Sequence, residues 1–147
     1  ILPKNYKKLL EHNKKNQDIL IKSLLNAVKI NIPKILIEEE VNGRLSQLLS
    51  RIEKLGLSLE GYLKSVNKTP ETLRSEYAIQ AKDAISLELI LNEVAKEEKI
   101  EVDEKQIDEF IKSTGSDPTK VEKEQRENLK RVILRRSALD KLASHER

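Results

Sequence analysis

The chain has 147 residues, enough for one domain, of which 37% are hydrophobic and 36% are charged. Globular domains usually carry about 45–50% apolar and about 25% charged residues, so this composition favours long amphipathic helices over a deep spherical core. Because the chain has no cysteine, disulfides, thiolate chemistry and Cys-ligated zinc are excluded. No apolar run approaches the roughly 18 residues that would predict a membrane span.

The first predicted helix runs from about residue 4 to residue 29. Its apolar residues form one group around Tyr6 and another from Leu20 to Val28, separated by the polar residues 13–18. We interpret the polar stretch as the exposed middle of a single helix. The alternative is a break, with Asp18 capping a helix that restarts.

A second helix is predicted from Pro33 to about Leu55, because proline suits the start of a helix and Gly56 is placed to cap its end. Gly43, inside this helix, is expected to permit a close helix crossing rather than to serve chemistry. A short third helix, from Leu59 to Val66, begins at the N-cap residue Ser58.

The fourth helix is predicted from Thr69 to about Lys99, and its broad apolar face makes it the element we expect to be most buried. Asp103 and Gln106 have capping-box spacing at the start of a fifth helix, which Gly115 closes. The pair Asp117-Pro118 predicts a sixth helix that ends near Ala143. The prediction is therefore an elongated all-α fold of about six helices, four of them long.

Catalytic and cofactor sites find little support in the sequence. His12 and His145 lie in polar contexts near opposite ends of the chain and are interpreted as surface residues, and no Gly-rich loop precedes a helix. The acidic run Glu38–Glu40 fits an interaction with the helix dipole better than a metal site or an acid–base pair. We therefore expect no enzyme activity, no metal and no cofactor.

Two basic clusters could contact phosphate or RNA. The first consists of Lys4, Lys7, Lys8, Lys14 and Lys15, and the second of Arg126, Lys130, Arg131, Arg135 and Arg136. Acidic residues are interleaved with the basic ones, the net charge is only +3, and 3% aromatic residues leave little surface for base stacking. Nucleic-acid binding is therefore disfavoured.

An apolar tract runs through the predicted helical hairpin from Leu48 to Val66. A small, highly charged bundle cannot hide so many leucines and isoleucines, so some are expected to remain exposed as a binding surface. The alternative is that the tract packs on itself and on the fourth helix. The candidate polypeptide-binding residues are Leu48, Ile52, Leu55, Leu59, Tyr62, Leu63 and Val66, with Val121, Leu129 and Val132 from the last helix.

Four segments, in order, resemble the C-terminal domain of the trigger factor family of chaperones. They are IPKILIEEEV (Ile32 to Val41), GLSLEGYLKSVNKTPETLRSEY (Gly56 to Tyr77), SLELILNEVAKEEKIEVDEKQID (Ser86 to Asp108), and Asp117-Pro118 with the closing Arg/Leu helix. The resemblance implies an ATP-independent chaperone domain whose two projecting helical arms hold unfolded or nascent polypeptides. It divides 1–147 into a linker helix (1–30), a first arm with a central helix (33–100) and a second arm (103–147).

The same resemblance implies a cytoplasmic protein with no membrane partner. It assigns ribosome docking and prolyl isomerisation to N-terminal domains that have no counterpart in these residues. Because the chain begins at Ile1 and contains no Met, we interpret it as part of a longer protein. The alternatives left open are a SurA-like periplasmic chaperone domain, a non-catalytic helical module that forms a homodimer or scaffold, and an RNA-binding basic helix.

Overall fold

The computed structural model describes residues 2–10 and 17–144. Within these residues it contains seven α-helices, one short 3-10 helix and no β-strand, which confirms the predicted all-α class. The α-helices are α1 (Tyr6–Leu9), α2 (Gln17–Ala27), α3 (Lys34–Lys54), α4 (Leu59–Ser65), α5 (Pro70–Glu97), α6 (Glu104–Ser113) and α7 (Lys123–Ala143). The 3-10 helix, Pro118–Lys120, lies between α6 and α7.

The chain divides into two compact units. We call Ile30–Ser86 the internal unit, and Ile1–Lys29 together with Leu87–Arg147 the terminal unit. Helix α5 contributes its residues up to Ser86 to the internal unit and its remaining residues to the terminal unit.

The helix ends of the internal unit follow from local hydrogen bonding. Ser58 and Thr69 each accept a hydrogen bond from the backbone N–H three residues later, at 3.0 and 3.1 Å, and so cap α4 and α5. Gly56 has a φ of +72°, and its N–H and that of Leu57 donate to carbonyls in the last turn of α3. This arrangement is the Schellman motif, which confirms Gly56 as the predicted cap.

The internal unit has a small core cluster where α3, α4 and α5 meet. It consists of four buried side chains from three helices, with Leu45, Tyr62 and Tyr77 packed against them: Leu48 and Ile52 from α3, Leu63 from α4 and Leu73 from α5. Full burial of one such side chain is worth about 1.5–3 kcal/mol relative to exposure. Of the described residues of α4, only Leu63 is buried, so this cluster holds α4 against α3 and the start of α5.

Gly43 does not mark a close helix crossing, so that prediction is wrong. A Cβ atom added to Gly43 would meet no other atom within 4 Å, because the residue lies on an exposed part of α3. The packing of α3 depends instead on buried residues such as Val41, Leu48 and Ile52.

The predicted single helix from residue 4 to residue 29 is also wrong. Helix α1 ends at Leu9 and α2 begins at Gln17, and the two helices pack against each other. In one continuous helix, Tyr6 and Leu20 would lie about 21 Å apart along the axis. The break instead allows both residues to be buried in the same unit. Residues 11–16, with most of the polar stretch, lie outside the described residues.

A core cluster of the terminal unit lies where α6 packs against α7. Val102, Ile107 and Ile111 are buried, with Val121, Leu129, Ile133 and Leu134 packed against them. The capping box predicted for α6 is confirmed, since Asp103 Oδ1 accepts from the Gln106 N–H at 2.8 Å and Gln106 Oε1 accepts from the Asp103 N–H at 3.0 Å.

The predicted start of the last helix at Asp117-Pro118 is wrong. Asp117 Oδ1 accepts a hydrogen bond from the Thr119 N–H at 2.9 Å and caps only the 3-10 helix. Val121 then adopts an extended backbone, and α7 begins at Lys123. The extended residue interrupts the helix because it packs against the buried core of α6.

The carboxylate of Glu98 connects three parts of the terminal unit at the end of α5. Its Oε1 accepts a hydrogen bond from the Tyr6 hydroxyl at 3.3 Å and pairs with Lys7, while its Oε2 lies 3.7 Å from Lys141 Nζ of α7. The hydrogen bond from Lys7 lowers the pKa of Glu98. Burial, followed by the charge of Glu98, raises the pKa of Tyr6 to about 12.

The lowered pKa of Glu98 predicts a pH dependence of stability. The carboxylate stabilises the fold above its unfolded-state pKa of about 4.3, and this contribution is lost as pH falls through the lower pKa of the folded state. Glu98→Gln is expected to reduce the free energy of unfolding by about 1–2 kcal/mol near neutral pH and by much less at about pH 3.

Urea unfolding followed by circular dichroism at both pH values measures this difference. Glu101→Gln, at an exposed position, is the matched control. An equal loss of stability at the two pH values would show that the charge of Glu98 does not stabilise the terminal unit.

Candidate functional site

The internal unit contains an open apolar groove with a volume of about 260 Å3, which we call the first groove. It is lined by residues of α3, α4 and α5, namely Leu45, Leu48, Leu49, Leu59, Leu63, Pro70, Glu71, Leu73 and Arg74. A cavity of about 150 Å3 is enough to hold benzene. The first groove therefore has room for one or two apolar side chains.

Exposed apolar side chains are concentrated in the internal unit. Eight of the twelve large exposed hydrophobic residues among the described residues belong to it: Ile35, Leu36, Leu49, Leu55, Leu57, Leu59, Val66 and Ile79. Single exposed leucines are normal on protein surfaces. Here Leu49 and Leu59 also line an apolar groove, which is the arrangement expected of a binding surface.

The structure separates the candidate residues of the predicted hairpin into two groups. Leu48, Ile52 and Leu63 are buried in the core, as the alternative interpretation of the apolar tract expected. Leu55, Leu59 and Val66 are exposed, at 70%, 38% and 37%, and Tyr62 is half-buried against the core. The buried residues Leu48 and Leu63 still form part of the wall of the first groove.

Leu49 and Leu57 are exposed residues of the same tract that were not among the candidates. Helical spacing would have identified Leu49, because it follows Leu48 by one residue and is rotated about 100° away from the buried stripe. Leu57 follows the Schellman motif of Gly56, outside both helices of the hairpin, where no periodicity indicates burial.

A second open groove, which we call the second groove, lies between α6 and α7 and has a volume of about 380 Å3. Its lining residues are Phe110, Ile111, Thr114, Ser116, Val121, Gln125, Asn128, Leu129 and Val132. The structure thus brings together all three candidates that were predicted on the last helix, although Val121 precedes α7. Val132 is 43% exposed, and Val121 and Leu129 are half-buried against the core.

The basic cluster of α7 is largely engaged within the protein. Arg126 Nη2 lies 2.6 Å from Glu104 Oε2 and 2.7 Å from Asp108 Oδ1, and these two hydrogen bonds raise the pKa of the guanidinium. Arg135 pairs with Glu88 at 3.1 Å. Several of the charges that favoured a phosphate contact therefore stabilise the fold.

The N-terminal basic cluster is only partly covered by the described residues, and one of its lysines is paired within the protein. Lys7 pairs with Glu98, whereas Lys14 and Lys15 lie outside the described residues. The described parts of the chain thus lend little support to the alternative of a basic helix that binds RNA.

The acidic run of α3 takes part in ordinary helical ion pairs. Glu38 lies 3.9 Å from Lys34 and Glu40 lies 3.0 Å from Arg44. Across residues 2–10 and 17–144, no group of three or more acidic or histidine side chains is arranged to hold a metal ion. His12 and His145 lie outside those residues. Over the same residues, no helix is long and apolar enough to cross a membrane.

The amino-acid sequence matches the model of one known protein family. The family model described as bacterial trigger factor protein (TF) C-terminus matches residues 3–144. The chain belongs to this family. The match includes both grooves and confirms the resemblance that the four sequence segments indicated.

Individual relatives give the same result. The trigger factor of Agathobacter rectalis is 28% identical over 142 residues, covering 91% of this chain and 32% of the relative. The trigger factor of a Nocardioides strain is 26% identical over 113 residues, covering 74% of this chain and 24% of the relative. The chain thus spans about a quarter to a third of the length of the curated relatives it matches.

A solved structure of trigger factor domains from Thermotoga maritima has the same fold. It superimposes with a TM-score of 0.66 and 23% sequence identity, covering 97% of this chain and 84% of the solved chain.

The division between buried and exposed leucines predicts that two similar substitutions change the free energy of unfolding by very different amounts. Leu63→Ser removes a buried side chain and is expected to reduce the free energy of unfolding by about 2–5 kcal/mol. Leu55→Ser changes a residue that is 70% exposed and is expected to alter it by about 0.5 kcal/mol or less. Urea unfolding of the two variants measures the difference, and comparable losses would contradict the assignment of Leu63 to the core.

Proposed function

We propose that this chain is the polypeptide-binding part of an ATP-independent molecular chaperone that assists protein folding by holding apolar segments of unfolded or nascent proteins. The observation that carries the proposal is the set of exposed leucines of the internal unit, two of which, Leu49 and Leu59, line the first groove. Membership of the trigger factor family supports the same function.

Binding of a client would be driven by the removal of apolar surface from water. Each square ångström covered is worth about 25 cal/mol before the costs of association, so a single leucine contact is weak. Several weak contacts on one surface raise the overall affinity through avidity. Release then requires no nucleotide, because a client that folds withdraws its own apolar side chains.

Paired charges would keep this apolar surface soluble. On α4, Lys64 lies 3.1 Å from Glu60, and both side chains are largely exposed. At the start of α5, Lys68 Nζ lies 2.5 Å from Glu76 Oε2, and this hydrogen bond raises the pKa of Lys68. Such pairs place hydrated groups on the same unit as the exposed leucines without adding net charge.

The binding residues in this proposal follow from their exposure. Leu55, Leu59 and Val66 contact the client, and Leu49 and Leu57 join them. Leu48, Ile52, Tyr62 and Leu63 form the support beneath these residues, and Val121, Leu129 and Val132 line the second groove.

The remaining parts of the proposal rest on the family resemblance. We assign the chain to the bacterial cytoplasm and retain the division into a linker segment (1–30), which contains α1 and α2 rather than one helix, a first arm with a central helix (33–100) and a second arm (103–147). Ribosome docking and prolyl isomerisation are not proposed for these residues, because the resemblance implies that other domains of trigger factor perform them.

Suppression of client aggregation tests the proposal. The double variant Leu55→Ser/Leu59→Ser removes two exposed leucines and leaves the core of the internal unit unchanged. We expect about three- to ten-fold more of this variant to be needed for half-suppression of the aggregation of a chemically unfolded client, because less apolar area is covered. Light scattering during dilution of the client from denaturant provides the measurement.

The matched control is Ile35→Ser/Ile79→Ser, which removes two exposed apolar side chains of the same unit that lie outside the apolar tract from Leu48 to Val66. Equal activity of the Leu55/Leu59 variant and the unsubstituted chain would refute a role for these leucines. Sedimentation of the unsubstituted chain addresses the dimerisation alternative, since a tight dimer that the same two substitutions dissociate would identify the surface as a self-interface.

A further inference from the structure

The two grooves differ in the polar residues that line them. The polar lining of the first groove is charged, from Glu71 and Arg74. That of the second groove is neutral, from two hydroxyl and two amide side chains: Thr114, Ser116, Gln125 and Asn128. Among the described residues, no charged side chain lines the second groove. The two surfaces are therefore suited to different segments of a polypeptide.

The amide side chains lie along one side of α7. Gln125, Asn128, Leu129 and Val132 have the spacing i, i+3, i+4 and i+7, which places them on one face of a helix. Asn128 Oδ1 accepts from Arg131 Nη1 at 3.1 Å, and Gln125 Oε1 accepts from the Glu122 N–H at 3.4 Å. With their oxygens engaged in this way, the amides offer the ligand their NH2 groups, each of which can donate two hydrogen bonds.

Hydrogen-bond donors beside an apolar floor require acceptors on the ligand. The backbone of a helical segment uses its own carbonyls internally, whereas an extended segment presents carbonyls that need a donor once water is removed. Carbonyls on the same side of an extended chain lie about 6.6–6.8 Å apart, and the donors Gln125 and Asn128 are separated by about 4.5 Å along the axis of α7. Donation from both amides to one extended segment therefore requires these side chains to diverge toward the ligand rather than a matched register.

We propose that the second groove binds an extended, uncharged apolar stretch of polypeptide, and that the side-chain amides of Gln125 and Asn128 donate hydrogen bonds to its backbone carbonyls. This inference rests on the proposed chaperone function and adds a conformational preference to it. Leu129 and Val132 provide apolar contact, and the lining has no charged side chain that could pair with a charged residue of the segment.

The variant Asn128→Leu distinguishes this proposal from binding by apolar contact alone. Contact alone predicts unchanged or tighter binding, because leucine adds apolar surface to the groove. The proposal predicts binding about five-fold weaker, because a carbonyl of the bound segment loses its donor. Fluorescence anisotropy of a labelled, uncharged peptide rich in Leu and Thr measures the dissociation constant, and binding that is unchanged or tighter would overturn the proposal.

Two controls complete the experiment. Asn26→Leu makes the same substitution at an exposed position of α2 outside both grooves and is expected to leave the affinity unchanged. The same peptide locked as a helix by a hydrocarbon staple is expected to bind more weakly to the unsubstituted chain and to respond little to Asn128→Leu. Equal affinity of the stapled and flexible peptides would overturn the proposal.

Val132→Ser separates failure of this inference from failure of the proposed function. Val132 is 43% exposed, so its substitution tests apolar contact in the groove without removing a core residue. Weaker binding of Val132→Ser together with unchanged binding of Asn128→Leu would overturn only the role of the amides. No effect of Val132→Ser would remove the second groove from the proposed function. A dimer of the chain that Val132→Ser dissociates would assign the groove to a second copy and overturn the proposal.

Discussion

The geometry of the α3–α4 hairpin determines how many of its leucines can be buried. Leu48 and Ile52 are one helical turn apart and pack with Leu63 of α4 and Leu73 of α5. Leu49 is rotated by about 100° from Leu48 and is exposed. Helix α4 has only seven residues, or two turns, and cannot cover a wider stripe. The exposed leucines of the internal unit are thus a consequence of packing the long, leucine-rich helix α3 against the much shorter helix α4.

The second groove, in the terminal unit, is held by a different set of interactions from the first. Here a core of Val102, Ile107 and Ile111 holds α6 to α7, and Arg126 adds hydrogen bonds to Glu104 and to Asp108 of α6. Charge-assisted hydrogen bonds of this kind are stronger than neutral ones. The residues of the second groove are therefore held on two helices fixed by both apolar packing and ion pairs, as a site that donates directed hydrogen bonds requires.

Much of this fold could be predicted from the sequence because helix ends are local signals. The caps at Ser58, Thr69, Asp103, Gly56 and Gly115 depend on one side chain or one positive φ and a few neighbouring backbone groups, and the structure forms each of them. The break between α1 and α2 was only the alternative interpretation, and the late start of α7 was missed. Both involve packing between separate elements, α1 on α2 and Val121 on the core beside α6. Tertiary contacts can override local helix propensity.

The candidate binding residues also show that local sequence patterns do not determine tertiary packing. Hydrophobic periodicity located segments that the structure places at two grooves, and Val121, Leu129 and Val132 line one of them. It could not decide which leucine of a wide stripe is buried, since that depends on the length and position of the neighbouring helix. Leu63 and Leu59 illustrate this point, because they are four residues apart on α4 but are 7% and 38% exposed. The neutral lining of the second groove also required coordinates, because its residues come from α6, the following loop and α7.

The most direct test of the account is methyl NMR of the leucine side chains during titration with a permanently unfolded, apolar polypeptide. The account predicts that the methyl signals of Leu49, Leu55, Leu57 and Leu59 shift or broaden, while those of the buried residues Leu20 and Leu24 in the terminal unit change little. If the polypeptide binds while the four exposed leucines remain unperturbed, the central claim that these side chains form the client surface is contradicted.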